Sequence, residues 1–318
     1  MSKADGASDP RPLVALTLGD PAGIGPEIAL AAARDRGVRE RTRLVLVGPG
    51  RLRPADVRSE DWLDSGGPAS WRMGEAQAEC GRAAIDALRA GHELAAAGRV
   101  DALVTGPVSK RALHLAGEQV EGQTELLARW SGARRYEMIG ISGSLRVMLL
   151  TRHLPLREAL ARITRERVLD HLELFDESLR RLGIGSPRLA LAGLNPHAGE
   201  DGILGGEEAE ILAPAVADAR SRGIAVDGPR SPDTVFLQAS RGAFDGVLAL
   251  YHDQAFIPVK LLSQDGGVTW IAGLPYLRMS PVHGTAFDIA GRGIASPANL
   301  IAAVLEAARW SKSPAASP

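Results

Sequence analysis

Short apolar runs alternate with longer amphipathic stretches along most of this chain, and this alternation limits the possible folds more than any other feature. The apolar runs predict strands at residues 13–19, 43–48, 101–107, 136–142, 146–151, 188–195 and 246–253. Amphipathic patterns lie between them, including a long one from Glu75 to about Ala97. A strand followed by a helix, repeated, is typical of a mainly parallel sheet covered on both faces. We therefore expect an α/β fold.

The length of the chain predicts two lobes. Its 318 residues exceed the usual size of one domain, so two α/β/α lobes with a cleft between them are expected. We assign residues 12–133 and 281–312 to the first lobe and residues 134–280 to the second. In the second lobe, a stripe at three-to-four spacing predicts the buried face of a helix that ends at Gly183; its members are Val168, Leu172, Phe175, Leu179 and Leu182. The polar residues 1–11 and the Ser-, Pro- and Ala-rich residues 313–318 are expected to be disordered tails.

Net charge and cysteine content limit the classes of binding partner and the cellular compartment that we expect for this chain. The formal net charge is −1 with mixed signs throughout, which favours neither nucleic acid nor an acidic membrane as a partner. Small molecules are therefore the expected ligands. The single cysteine, Cys80, excludes an internal disulfide and agrees with a reducing cytosol. The amino-terminal residues lack the apolar core of a signal peptide, so a cytoplasmic location is expected.

Three histidines, His153, His197 and His252, each follow an apolar run. If each run is a buried strand, the histidines lie just past the carboxyl ends of strands, where open α/β sheets bind their ligands. Taken singly, each is more often a surface or hydrogen-bonded residue, but their shared placement favours one metal site. Three imidazoles leave a coordination position open for a substrate oxygen. They suit zinc best and also cobalt or nickel, whereas carboxylate participation would admit magnesium or manganese.

Charged groups near turns indicate an anionic substrate. Lys260 and Arg278 adjoin glycine-rich turns, and either cation could bind a carboxylate or a phosphate. Asp253, beside His252, could orient the imidazole, join the metal shell or cap a turn. The stretch Thr105–Lys110 follows a strand and supplies a hydroxyl and a cation.

A glycine-rich stretch, GDPAGIGPEI at residues 19–28, follows the first strand and opens a helix. Its glycines would let backbone amides approach a phosphate, although the spacing differs from the dinucleotide-binding fingerprint of the Rossmann fold. A tight strand-to-helix turn is the simpler interpretation, and both stay open at this point.

Six ordered motifs over residues 12–310 resemble those of the 4-hydroxythreonine-4-phosphate dehydrogenase family. They are GDPAGIGPEI, TGPVSK, LNPHAGEDGILGGEE, GPRSPDTVF, YHDQAFIPVK and SPVHGTAFDIAGRG. The last is also similar to the nucleotide-binding loop of isopropylmalate and isocitrate dehydrogenases, the fold group to which that family belongs. The resemblance thus implies an isocitrate/isopropylmalate dehydrogenase-like fold.

The same resemblance implies a function. It implies a homodimer whose site lies at the subunit boundary, with a divalent metal bound by His153, His197 and His252, one of them from the partner chain. It implies NAD or NADP, held by His283, Gly284, Thr285, Ala286 and Asp288. The cofactor would take a hydride from a secondary alcohol β to a carboxylate, and the product could then lose CO2. Lys260 and Asp253 are the candidate acid–base residues.

The substrate pocket implied by the resemblance comprises Gln123, Thr124, Lys260, Thr269 and Arg278. Gln123 stands where the family has histidine, and Thr269 where an asparagine is usual. A neutral amide can still hydrogen-bond but cannot become cationic. Val282 likewise replaces a customary aspartate. These changes predict the family's chemistry on an altered substrate.

The substrate candidates are 4-phosphohydroxy-L-threonine, a phosphorylated four-carbon sugar acid and a carboxylated cis-dihydrodiol. Two readings from other classes also remain: a metal-dependent lyase or hydrolase without a nucleotide, and a non-catalytic sensor of a phosphorylated metabolite.

Overall fold

The computed structural model describes residues 9–263 and 267–311. Its strands are β1 (Leu13–Thr17), β2 (Arg43–Gly48), β3 (Trp62–Asp64), β4 (Ala102–Thr105), β5 (Glu137–Ser142), β6 (Leu145–Leu149), β7 (Leu189–Ala192), β8 (Val226–Arg230), β9 (Gly246–Ala249), β10 (Val268–Ala272) and β11 (Arg278–Pro281). Its α-helices are α1 (Gly25–Arg34), α2 (Arg36–Arg41), α3 (Ala78–Ala96), α4 (Lys110–Leu115), α5 (Gln123–Ser131), α6 (Leu156–Ala161), α7 (Arg165–Arg181), α8 (Ala213–Ser221), α9 (Val235–Ser240), α10 (His252–Leu262) and α11 (Ala298–Trp310).

The described residues divide into two compact units. The first contains the chain up to Arg134 and again from Leu274 onward, and the second is Arg135–Gly273. Residues 274–280, which the sequence pattern placed with the second lobe, group with the first because β11 pairs with β4. Of the expected tails, residues 1–8 and 313–318 lie outside the described residues, whereas Arg11 donates to the Asp9 carboxylate.

In the first unit the strands follow the order β3-β2-β1-β4-β11, and every pair is parallel. Successive side chains of β1 from Val14 to Thr17 are all buried. Because successive side chains of a strand point to opposite faces, both faces of β1 are covered. The helix α3 packs against β1, β2 and β4, and α11 against β1, β4 and β11. The predicted α/β class is thereby confirmed.

The second unit has the strand order β10-β5-β6-β9-β7-β8. The four strands from β6 to β8 are parallel, as predicted, but β5 runs antiparallel to both β10 and β6. The reason is the two-residue link between β5 and β6, Gly143–Ser144, in which Gly143 has a φ of +57°. Such a short link can join antiparallel strands only, since a parallel connection needs a crossover.

The helix α7 supplies much of the second unit's core. Its predicted apolar stripe is buried, and Phe175, at the centre of the stripe, is fully buried. A methyl group on Gly246 of β9 would lie 2.3 Å from the Phe175 ring, so the ring rests directly on the strand backbone. The helix begins with Thr164 as its cap, because the Thr164 hydroxyl accepts a hydrogen bond from the Arg167 N–H.

Phe175→Ala should therefore destabilise the second unit strongly. Removing a fully buried aromatic ring loses the free energy gained by burying it and leaves a cavity. We expect both effects together to lower the free energy of unfolding by about 3–5 kcal/mol. Leu160→Ala is the matched control because Leu160 is 44% exposed, and we expect it to cost about 0.5 kcal/mol or less. Urea unfolding monitored by circular dichroism measures both. Equal effects for the two variants would contradict the packing described here.

Candidate active-site residues in the two units

The three histidines predicted to bind metal all follow neighbouring strands of the second unit. The strands β6, β9 and β7 are adjacent and parallel, so their carboxyl ends share one edge. His153 comes four residues after β6 ends, His252 three after β9 and His197 five after β7. Because polar side chains at such an edge can converge, the topology is compatible with the predicted grouping.

His153 and His252 lie close to each other. Their ring centroids lie 5.5 Å apart, and the His252 ring stacks on Phe256 at 4.9 Å. The His252 Nδ1 atom lies 2.8 Å from Asp253 Oδ1. In the tautomer that donates from Nδ1 to this carboxylate, Nε2 carries the lone pair that a metal would need.

His197 lies in an unusual turn. Residues 197–201 all have positive φ, between 44° and 81°, and only Gly199 among them is a glycine. A left-handed conformation costs about 1–2 kcal/mol for each non-glycine residue. The buried Glu208 carboxylate stabilises the start of the turn, because it accepts hydrogen bonds from the backbone N–H groups of Leu194 and Asn195 at 2.8 and 2.7 Å.

Within residues 9–263 and 267–311, no three His, Cys, Asp or Glu side chains form a group that could hold a metal ion. A single described chain thus brings two of the predicted ligands, His153 and His252, together. The three-histidine metal site stays a prediction.

The other predicted residues of the second unit lie on α10 and β10. His252, Phe256 and Lys260 recur every four residues, so they share one face of α10, and Lys260 Nζ is 5.9 Å from the Phe256 ring centroid. Thr269 is buried in β10, where it pairs with Gly140. The substrate and acid–base roles of these residues stay predictions.

Arg278 is a buried cation in the first unit. Only 3% of it is exposed, and burial lowers the pKa of its guanidinium to about 10. It donates to the Thr105 hydroxyl at 2.6 Å and to the Thr124 hydroxyl at 3.4 Å. Its Nε has no hydrogen-bond partner among the described residues. A buried cation held by neutral hydroxyls would be stabilised by an anionic ligand.

Gln123 directly precedes Thr124, one of the two hydroxyl partners of Arg278. The orientation of its side-chain amide follows from its hydrogen-bond partner. Gln123 Nε2 donates to the carbonyl oxygen of Gly106 at 2.9 Å. Because a carbonyl oxygen only accepts, the amide nitrogen has to face it. Gln123 Oε1 is then left buried and without a partner in the described residues. The side chain therefore carries an unpaired acceptor, and the substrate role of Gln123 stays a prediction.

A cavity of about 680 Å³ opens in the first unit. Its lining includes Gly284 and Thr285 from the predicted nucleotide loop, together with Ser109, Lys110 and Arg111 at the start of α4. This volume suits part of a nucleotide, and the two cations suit its phosphates. Of the other predicted cofactor residues, His283 Nδ1 contacts the Gly284 carbonyl oxygen at 3.0 Å, Ala286 has a φ of +40°, and Asp288 is exposed.

The glycine-rich stretch at residues 19–28 supports this loop rather than lining the cavity. Ile24 N–H donates to the Thr285 carbonyl oxygen at 3.0 Å. A methyl group on Gly23 would lie 2.9 Å from Thr285 Cβ, and one on Gly25 2.1 Å from the Leu18 carbonyl oxygen. These glycines are thus required by close backbone packing, which agrees with the tight-turn interpretation.

An α/β fold with histidines at one carboxyl edge and a buried arginine held by two threonine hydroxyls is compatible with an enzyme that acts on a small anionic molecule. The family model described as pyridoxal phosphate biosynthetic protein PdxA matches residues 32–307. The chain therefore belongs to the PdxA family, as its motifs predicted.

Named relatives cover nearly the whole chain. A 4-hydroxythreonine-4-phosphate dehydrogenase of Desulforapulum autotrophicum is 42% identical over 95% of this chain and 96% of its own length. A D-threonate 4-phosphate dehydrogenase of Salmonella typhimurium is 40% identical over 92% and 96%. The crystal structure of a 4-hydroxythreonine-4-phosphate dehydrogenase from Klebsiella pneumoniae has a TM-score of 0.86 and 39% identity, covering 95% and 98% of the two chains.

These relatives define the class of the enzyme. The chain is an oxidoreductase that acts on a CH–OH group, which confirms the predicted dehydrogenase and implies a nicotinamide cofactor. None of the helices in the described ranges has the length and apolar composition needed to cross a membrane.

Two buried residues that the sequence analysis overlooked lie next to the predicted site. Glu208 anchors the turn of His197, and Gln254, two residues after His252, hydrogen-bonds the backbone on both of its sides. Glu208 ends the motif LNPHAGEDGILGGEE, and Gln254 directly follows His252 and Asp253 in YHDQAFIPVK, so no sequence pattern distinguishes either residue from its polar neighbours.

Asp20, in the loop between β1 and α1, is a buried acid whose titration should affect stability. Burial raises the pKa of its carboxyl to about 6, and Oδ1 accepts a hydrogen bond from the Ala22 N–H at 3.0 Å. The folded chain therefore binds this proton more tightly than the unfolded chain, whose value is 3.8. The unfavourable contribution of the Asp20 carboxyl to the stability of the folded state is absent below about pH 4 and grows as the pH rises to about 6.

Asp20→Asn should thus flatten the fall in stability between pH 4 and 6 and make the protein more stable at pH 7, by up to about 3 kcal/mol. Urea unfolding at one-unit pH intervals measures the difference. Glu121→Gln, at an exposed position, is the control and should run parallel to the wild type. Parallel curves for Asp20→Asn as well would mean that this carboxyl does not titrate in the window.

Proposed function

We propose that this chain is an NAD- or NADP-dependent dehydrogenase that oxidises the secondary alcohol of a small phosphorylated hydroxy acid. The observation that carries this proposal is the buried Arg278, held by the hydroxyls of Thr105 and Thr124, whose Nε is buried without a hydrogen-bond partner in the described residues. Relatives named for 4-hydroxythreonine-4-phosphate and for D-threonate 4-phosphate are almost equally similar to this chain. Both compounds are phosphorylated four-carbon hydroxy acids, so the shared class is the proposal.

Each part of the first unit has a role in this proposal. Arg278 binds an anionic group of the substrate, and Gln123 Oε1 accepts a hydrogen bond from a substrate hydroxyl or ammonium. The cavity beside Thr285 and Lys110 takes the nucleotide. Its two cations favour no particular nucleotide, since both NAD and NADP carry a pyrophosphate.

In the second unit we propose that His153, His197 and His252 bind a divalent ion, zinc in the first place. The 5.5 Å separation of the His153 and His252 rings and the His252–Asp253 contact support two of these ligands.

We further propose that the chain forms a homodimer, with one histidine supplied by the partner chain. Exposed apolar side chains of the second unit, Ile203 at 78% and Leu261 at 76%, support an interface. A cytoplasmic location agrees with the free Cys80.

The reaction separates a hydride and a proton. When bound, the nicotinamide accepts the hydride and a divalent ion polarises the alcohol oxygen, and the same polarisation would assist loss of CO2 from a β-keto acid. Asp253 is engaged with His252 Nδ1 and orients that ring. We therefore propose that Lys260, rather than Asp253, is the acid–base residue of the reaction, since Lys260 shares the α10 face with His252.

The test is the appearance of reduced nucleotide when metal-loaded protein meets NAD or NADP and each substrate candidate: 4-phosphohydroxy-L-threonine, D-threonate 4-phosphate and a carboxylated cis-dihydrodiol. We expect turnover with a phosphorylated acid. In His197→Ala, turnover and metal binding should be lost while calorimetry finds nucleotide affinity unchanged, because the cavity lies in the other unit. His114→Ala, an exposed site on α4, should keep full activity. Unchanged turnover in His197→Ala would exclude the metal mechanism.

Gln123→His should raise kcat/KM toward 4-phosphohydroxy-L-threonine by about tenfold, which corresponds to about 1.4 kcal/mol, the size of one net hydrogen bond. The reason is that imidazole can donate to an oxyanion and become cationic, whereas Gln123 presents an acceptor. Gln238→His, at an exposed position on α9, is the control. High wild-type activity with no gain would show that the amide serves this substrate as well as a histidine.

A further inference from the structure

Two buried side chains join the backbone segments that carry the three histidines. The Thr151 hydroxyl donates to the Leu250 carbonyl oxygen at 2.8 Å. Gln254 Oε1 accepts from the Leu250 N–H at 2.7 Å, and Gln254 Nε2 donates to the Gly193 carbonyl oxygen at 2.8 Å. Thr151 is 1% exposed and Gln254 is 9% exposed. These hydrogen bonds are therefore largely shielded from water, and a hydrogen bond inside a protein is electrostatically stronger than one in water.

These links begin where the strand pairing ends. The register of β7 with β9 runs to the pair Leu191–Leu248, and beyond it the segments toward His197 and His252 diverge. Leu250 lies two residues before His252, and Gly193 lies four before His197. A single side chain, that of Gln254, therefore spans the gap between the two histidine segments. Thr151, two residues before His153, adds the third segment.

The chemistry of the link requires an amide. One end meets a backbone N–H, which needs an acceptor, and the other meets a carbonyl oxygen, which needs a donor. Glutamate of the same length has two acceptors, and methionine has neither strong donor nor strong acceptor. Gln254 also lies in the first turn of α10, a helix whose capping residue, Tyr251, makes no side-chain cap. Gln254 is thus tied to loops rather than to its own helix.

We propose that Gln254 is a positioning residue that sets the separation of the His197 and His252 segments, with Thr151 doing the same for His153. This inference rests on the proposed metal site. It assigns no metal contact to Gln254 itself. The residue acts through the backbone at Gly193 and Leu250, in the way that groups behind metal ligands fix ligand orientation.

The test compares Zn²⁺ and Co²⁺ binding to the purified full-length protein, by calorimetry and by the visible absorption of bound Co²⁺. The variants are Gln254→Glu, which keeps the acceptor and loses the donor, Gln254→Met, which loses both, and Thr151→Val. Trp62→Phe is the matched control, because it deletes one buried hydrogen bond, from the Trp62 ring to the Gly48 carbonyl oxygen at 3.2 Å, in the other unit. Thermal midpoints confirm that each variant is folded.

We expect both Gln254 variants to bind metal about 10- to 100-fold more weakly than the wild type, with an altered Co²⁺ spectrum, while Trp62→Phe binds normally. A role in stability alone would lower the thermal midpoint and leave the Co²⁺ spectrum of the bound ion unchanged, which would overturn the inference. If either Gln254 variant fails to fold, Thr151→Val carries the same comparison. A wild type that binds neither ion would instead refute the proposed metal site, and with it this inference.

Discussion

The central strands are buried on both faces, and this burial excludes polar side chains from the middle of each strand. The position of the predicted site residues depends on that constraint. In both units the central parallel strands carry consecutive buried side chains, as in β1, β7 and β9. A polar or charged group in the middle of such a strand would lose its hydration without compensation. The residues predicted to take part in binding or catalysis therefore collect where strands end, at Thr105, the last residue of β4, and at the histidines after β6, β7 and β9.

Two buried polar side chains of the first unit, Arg278 and Gln123, have neutral hydrogen-bond partners and keep an unpaired atom within the described residues. Arg278 is held by two hydroxyls, and Gln123 by one carbonyl oxygen. Arrangements of this kind are costly to the empty fold and are repaid by a ligand of matching charge and hydrogen-bonding capacity. The first unit thus combines a buried cation with an unpaired acceptor among the described residues, which is compatible with the dehydrogenases of phosphorylated acids to which the chain is similar.

In the second unit, two buried side chains hydrogen-bond to backbone groups instead. Glu208 stabilises a left-handed turn that the residues of that turn disfavour, and Gln254 joins two loops that the strands no longer hold. Both side chains are buried: Glu208 contacts the segment before His197, and Gln254 contacts that segment and the one before His252. A strained turn persists only when its surroundings hold it in place, and these two side chains hold the chain that leads into the turn of His197.

Local sequence patterns determined a good part of this protein. The alternation of apolar runs and helical stripes was enough to predict the α/β class, the helix α7 with its buried face around Phe175, and the strands that precede the histidines, because periodicity reports burial directly. Ordered motifs were enough for the family and the dehydrogenase class. The helix α3 was predicted with an early start, at Glu75 rather than Ala78, since the end of a helix depends on capping more than on periodicity.

Only the tertiary structure decided the rest. The strand β8 has few apolar residues, and β10 and β11 lie in or near a glycine- and proline-rich stretch, so their place in a sheet depends on neighbours distant in sequence. The antiparallel direction of β5, the free acceptor on Gln123 and the bridge made by Gln254 likewise depend on which backbone groups meet. A sequence specifies donors and acceptors one residue at a time, whereas pairing them requires the folded chain to bring them within about 3 Å.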